Sequence, residues 1–93
     1  MFYLISYDIS IDQRRLKVAH LLEGYGQRVL ESVFECDLEP TAYRQLRQKL
    51  SRLIKTDEGD RLRIYQICNT CRCQIEVIGE GPPPETSPDI YIF

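Results

Sequence analysis

A chain of 93 residues, 43% hydrophobic and 28% charged, has the composition of one soluble globular domain. At this size folding buries roughly 60–65% of the unfolded surface, enough for one core, and association between copies is a natural supplement. The formal net charge of −2 repels a polyanion, so a nucleic-acid function has to rest on a local basic patch. Met1 to Ile5 is apolar, but Asp8 interrupts it far short of a membrane span and no basic leader precedes it. The expectation is a cytoplasmic protein with no membrane partner, whose four cysteines (Cys36, Cys68, Cys71, Cys73) serve as thiols or metal ligands before disulfides.

Phe2 to Ile9 is dense in aromatic and β-branched residues and reads as a strand ending at Asp8, with Ser10 or Asp12 placed to cap a following helix. From Asp12 to Tyr25 the spacing of Leu16, Ala19, Leu22 and Tyr25, with Val18 and Leu21 beside them, predicts an amphipathic helix that stops at Gly24 and Gly26. Arg14, Arg15 and Lys17 lie in its opening turns, where cations oppose the helix dipole; an anionic ligand nearby would account for them. Arg28 to Leu38 is one strand, or two with a turn at Glu31-Ser32. Pro40 suits the first turn of a second helix, and Thr41 to Lys55 shows an apolar stripe at Tyr43, Leu46, Leu50, Leu53 and Ile54. The opposite side of that helix carries Arg44, Arg47, Lys49, Arg52 and Lys55 with no acidic residue, which supplies the local basic surface.

Asp57-Glu58-Gly59-Asp60 reads as a turn, Leu62 to Ile67 as a third strand region and Cys73 to Ile78 as a fourth. Residues 1–79 form the expected domain, and 80–93 an appendage of Pro-rich linker and a strand-like terminus, Ile90 to Phe93, suited to edge pairing. The order points to an α+β fold with both helices on one face of an antiparallel sheet, a ferredoxin-like βαββαβ sandwich with an additional C-terminal strand or strands. The other sheet face is left open as a dimerisation surface.

The blocks Tyr7-Asp8-Ile9, Arg15, Lys17-Val18-Ala19, Gly26-Gln27-Arg28-Val29, Ser32-Val33-Phe34-Glu35-Cys36 and Asp57 to Tyr65 together resemble the small CRISPR-associated adaptation protein. That family comprises ferredoxin-like dimeric partners of the spacer integrase, also described as metal-dependent endonucleases. The resemblance implies a βαββαβ core, a two-fold dimer packed sheet against sheet, and C-terminal strands that complete the partner's sheet. It also implies a magnesium-binding aspartate at the end of the first strand, by position Asp8, with Tyr7, Arg15, Arg28 and Phe34 at further positions linked to activity. Lys17 stands where some members carry a second arginine, which keeps the charge and loses the bidentate fork.

Phosphodiester hydrolysis uses a hard cation to polarise the phosphate and activate water, and magnesium takes one or two carboxylates plus waters. One Asp8 is a thin site, but a two-fold axis would supply a second carboxylate, so that dimerisation and metal binding are coupled. Arg15 and Arg28 are candidates to hold the phosphate, and Tyr7 and Phe34 to position sugar or base. Arg14, Arg15, Lys17, Arg44, Arg47 and Arg52 are the candidate nucleic-acid contacts.

Two readings result: a CRISPR adaptation homodimer with magnesium-dependent cleavage of RNA or DNA, or an architectural subunit that holds DNA while the integrase performs the chemistry. A third class is a redox or metal module on Cys68-x-x-Cys71-x-Cys73, with Cys36 as a fourth ligand. Each feature also has a plain structural reading, in which Asp8 closes a strand, the basic stripe is a solvated helix face, and Tyr25, Tyr43 and Tyr65 are packing residues.

Overall fold

The structure is a computed structural model, in which residues 1–81 are described. Its elements in chain order are β1 (Phe2–Asp8), α1 (Asp12–Glu23), β2 (Gln27–Leu30), β3 (Val33–Asp37), α2 (Pro40–Leu53), β4 (Arg61–Ile67) and a short α3 (Asn69–Arg72), with a 3-10 turn at Thr56–Glu58. The strands form one sheet in the order β2-β3-β1-β4, and all three pairings are antiparallel. This is the ferredoxin-like α+β arrangement of two interlocked β-α-β units expected from the element order.

Period-two alternation along β1 assigns its side chains to two environments. Tyr3, Ile5 and Tyr7 point into the core with Phe34 and Cys36 of β3, while α1 contributes Val18, Ala19 and Leu22 and α2 contributes Leu46 and Leu50. Tyr3 stacks on Tyr43 of α2 with ring centroids 4.2 Å apart and planes within 5°. Burial pushes the Tyr3 phenol above its ordinary pKa, and Tyr43 adds to the rise. Phe2, Leu4, Ser6 and Asp8 point to the open face, opposite Asp37, Glu35 and Val33 on one side and Ile67, Tyr65, Arg63 and Arg61 on the other.

The choice left open over Arg28 to Leu38 resolves to two strands, turning at Glu31-Ser32. Several other local expectations are corrected. Neither Ser10 nor Asp12 caps α1: Ile11 holds the cap position with no side-chain hydrogen bond, and Asp12 in the first turn pairs with Arg15. Leu16, assigned to the apolar stripe, is 66% exposed, because the buried face of α1 is carried by Val18, Ala19 and Leu22. The second helix ends at Leu53, before Lys55.

Cys73 to Ile78 is not a strand. The backbone closes into α3, with Arg72 N–H donating to Cys68 O at 2.9 Å, then passes a turn at Cys73-Gln74 and runs on without regular structure. The purpose of that turn is visible in Arg72, which is 3% exposed, lies 4.3 Å above the Phe2 ring and donates to Asp37 at 2.9 Å. A cation over an aromatic face and beside a carboxylate is partly compensated for its burial. The linker from Pro82 and the strand-like Ile90 to Phe93 lie outside the described residues.

The link from α1 to β2 depends on Gly26, whose N–H, with that of Tyr25, bonds back to Leu22 O at 2.9 Å. A Cβ at this position would be driven into Cys36 Sγ and the Glu35 carbonyl oxygen. Gly26→Ala is therefore expected to destabilise the fold by about 1–3 kcal/mol, the range for overpacking a filled core, read as a lower urea midpoint at unchanged m-value. A midpoint equal to the parent's would show that β3 yields at no cost.

Candidate functional site

The last residue of a strand that alternates inward and outward is free of packing demands on its outer side. Asp8 holds that position, its side chain 72% exposed on the open sheet face. Directly across the β1–β4 ladder stands Arg61, whose Nη2 donates to Asp8 Oδ2 at 2.8 Å. Ser6 and Arg63 form the next same-face pair, and the Arg63 guanidinium lies 5.5 Å over the Tyr65 ring. One end of the open face thus carries a carboxylate, a hydroxyl and two guanidinium groups.

Other residues expected at the site lie on the helix side of the same sheet end. Phe34 is fully buried and Tyr7 is 5% exposed, their ring centroids 6.3 Å apart, so both rings pack in the core. Arg28 covers the Phe34 ring at 5.4 Å. Burial pushes the Tyr7 phenol up, with Arg28 and Arg15 pulling it part of the way back, so Tyr7 is a neutral hydroxyl at physiological pH. Arg15 donates to the Ile9 carbonyl at 3.0 Å and pairs with Asp12, which ties the loop after Asp8 to α1. The Tyr7 N–H donates to Ser32 O at 3.1 Å and extends that brace to the β2–β3 turn. Tyr7, Phe34, Arg28 and Arg15 are therefore gathered with each other behind the strand, while Asp8 faces the opposite direction.

The basic residues also divide. Arg14 is committed internally: its Nε donates to Asp60 Oδ2 at 2.7 Å and its Nη1 meets Glu58 at 3.1 Å. Lys17, Arg44, Arg47 and Arg52 are exposed. A groove of about 930 Å³ follows the outer edge of β4 and places Arg47 and Ser51 of α2 on the same wall system as Asp8, Arg61 and Arg63. Sequence reading missed Ser6, Arg61 and Arg63. Their signal was present in the alternation Arg61-Leu62-Arg63-Ile64, but it acquires meaning only when the register pairs Arg61 with Asp8.

The zinc arrangement is absent among the described residues, where no group of three or more His, Cys, Asp or Glu is placed to hold a metal ion. Cys36 is buried in the core, whereas Cys68, Cys71 and Cys73 are exposed, and none of the four is joined in a disulfide. No helix of the described residues is long and apolar enough to cross a membrane.

The family model for CRISPR associated protein Cas2 matches residues 1–75. The chain belongs to the Cas2 family of CRISPR adaptation proteins. A relative from Chloroflexus aurantiacus, named CRISPR-associated endoribonuclease Cas2 1, is 83% identical over the full length of both chains. Among solved structures, Streptococcus pyogenes Cas2 superposes with a TM-score of 0.74 at 31% identity, covering 85% of this chain and all of that one. The corresponding chain of a partial Cas6-RT-Cas1–Cas2 complex gives 0.74 at 34% identity, covering 92% and 98%. The Cas2 fold expected from the sequence blocks is thereby established.

The Arg14–Asp60 pair generates a pH dependence in this Cas2-family chain. The Asp60 carboxylate is held below its ordinary range, first by the Arg14 hydrogen bond and then by the Lys55 N–H, which donates at 2.9 Å. A carboxylate whose folded pKa is depressed stabilises the fold above its unfolded value, and that stability is lost as pH falls through the folded value. Asp60→Asn is expected to lower the urea midpoint at pH 7, with the gap to the parent narrowing as pH drops below about 4. A gap that stays constant with pH would assign the loss to packing.

Proposed function

We propose that the protein acts as a homodimer that binds nucleic acid and cleaves phosphodiester bonds with magnesium held at Asp8. The observation that carries this reading is the exposed carboxylate of Asp8 on the open sheet face beside Arg61. A carboxylate oxygen suits a hard cation, and one or two carboxylates completed by water are the usual protein share of a magnesium site. Bound there, magnesium would supply charge stabilisation at the phosphate and an activated water. The chain's own contribution is to hold the carboxylate at the end of a strand paired on both sides, to brace that end through Tyr7, Arg15, Arg28 and Phe34, and to present Arg61 and Arg63 to an anionic backbone. Relatives named endoribonuclease and endonuclease support the reaction class.

The homodimer rests on the same face. Leu30 is 67% exposed and Tyr65 46% exposed, and a two-fold pairing of such faces buries them while setting the Asp8 copies toward each other. Pairing with an integrase subunit follows from the likeness to the Cas1–Cas2 assembly. The cytoplasm is the address that fits an intracellular nucleic-acid substrate and four cysteines outside any disulfide.

Asp8→Ala is expected to abolish magnesium-dependent cleavage of an oligonucleotide while the dimer persists in light scattering. Cleavage equal to the parent's would place the reaction elsewhere. The architectural reading is favoured by the basic face of α2 and makes a separate prediction. Reversing charge at Arg44, Arg47 and Arg52 should weaken duplex binding and flatten its logarithmic salt dependence by roughly 0.9 for each phosphate no longer neutralised; an unchanged slope would put the DNA track on another surface.

A further inference from the structure

The hydrogen bond that Asp8 accepts from Arg61 uses the carboxylate that the proposed metal site requires. A guanidinium and a divalent cation repel each other and cannot both hold Oδ2 closely. The pair is exposed, with 72% of the Asp8 side chain and 77% of the Arg61 side chain accessible, and such pairs are cheap to open. The Arg61 side chain stands mostly in solvent, its place in the sheet secured by the β4 backbone ladder, while Leu62 and Ile64 pack against the core. Its position opposite Asp8 is fixed by register, so the two side chains stay within reach of each other whenever the sheet is formed.

We propose that Arg61 is the exchangeable counter-ion of Asp8, holding the carboxylate while no cation is bound and yielding it to the divalent cation. The inference rests on Asp8 being the metal ligand and adds a residue with a defined role to that site. Arg61 is here a positioning residue that orients the Asp8 carboxylate and compensates its charge until the ion arrives. Once displaced, its guanidinium remains on the same face as Arg63, where the anionic phosphodiester would lie.

The test is Mn²⁺ binding to the full-length protein at about 0.15 M salt, where long-range charge effects are screened, with free Mn²⁺ read by electron paramagnetic resonance. Removing the competitor in Arg61→Gln should tighten the dissociation constant about two- to fivefold, the range open to an exposed ion pair. Arg63→Gln removes the same charge from the neighbouring same-face position, without the hydrogen bond to Asp8, and should tighten the constant by less than Arg61→Gln does. Asp8→Asn should lose the site. If binding depends on Asp8 but Arg61→Gln binds no more tightly than the parent, or Arg63→Gln tightens it equally, the counter-ion role is overturned and the metal reading stands. If Asp8→Asn binds Mn²⁺ as the parent does, the metal reading of Asp8 falls and the counter-ion role with it.

Discussion

The register of β1 between its two neighbours governs both the core and the site. β1 is hydrogen-bonded to β3 on one side and β4 on the other, and a shift of one residue would exchange every inward side chain for an outward one. Tyr3, Ile5 and Tyr7 would leave the core, and Ser6 and Asp8 would enter it. The cost of burying a carboxylate without a partner, added to the loss of those three apolar side chains, leaves one acceptable register. The exposure of Asp8 on the open face is a consequence of the core and needs no separate force.

The same reasoning explains what was legible in the sequence. The alternation from Phe2 to Ile9, the helical spacing of Val18, Ala19 and Leu22, and that of Leu46 and Leu50 are local patterns, and they placed the main elements correctly. Spaced motif blocks then identified the family over most of the chain. What could not be read locally depended on pairing across the chain. Arg61 lies 53 residues from Asp8 in sequence, so its role beside the carboxylate appears only in the ladder. Arg14 resembled a free helix-start cation until Asp60, 46 residues away, claimed it. Cys73 to Ile78 has a strand-like composition, but Arg72 draws the preceding turn onto Phe2 and Asp37, and the chain leaves the sheet there.

Pairing also resolves the apparent conflict between an acidic chain and the proposed nucleic-acid partner. Asp37 works against burial to ionise, and the hydrogen bond from Arg72 together with the N-terminal ammonium holds its carboxyl below the ordinary range. Asp60 and Glu58 converge on Arg14. Part of the acidic complement is thus spent on internal partners, whereas Arg44, Arg47 and Arg52 lie exposed on a helix with no acidic residue of its own. Net charge averages over surfaces that the fold keeps apart, and the groove along β4 joins the basic surface of α2 to Arg61 and Arg63.

A two-fold pairing of open faces creates an electrostatic problem that the proposed counter-ion answers. Two Asp8 carboxylates brought together without a cation repel, and that repulsion would oppose the assembly needed to build the site. With Arg61 at 2.8 Å from Asp8, each face of the proposed dimer would approach as a compensated pair, and assembly would not need the metal first. In the proposed exchange Asp8 would give up a partner whose hold is weak because it is exposed to water, and Arg61 and Arg63 would stay on the face offered to a polyanion. On that proposal assembly, metal entry and phosphate binding would be successive uses of one cross-strand pair, made available by the register that buries Tyr7 and exposes Asp8.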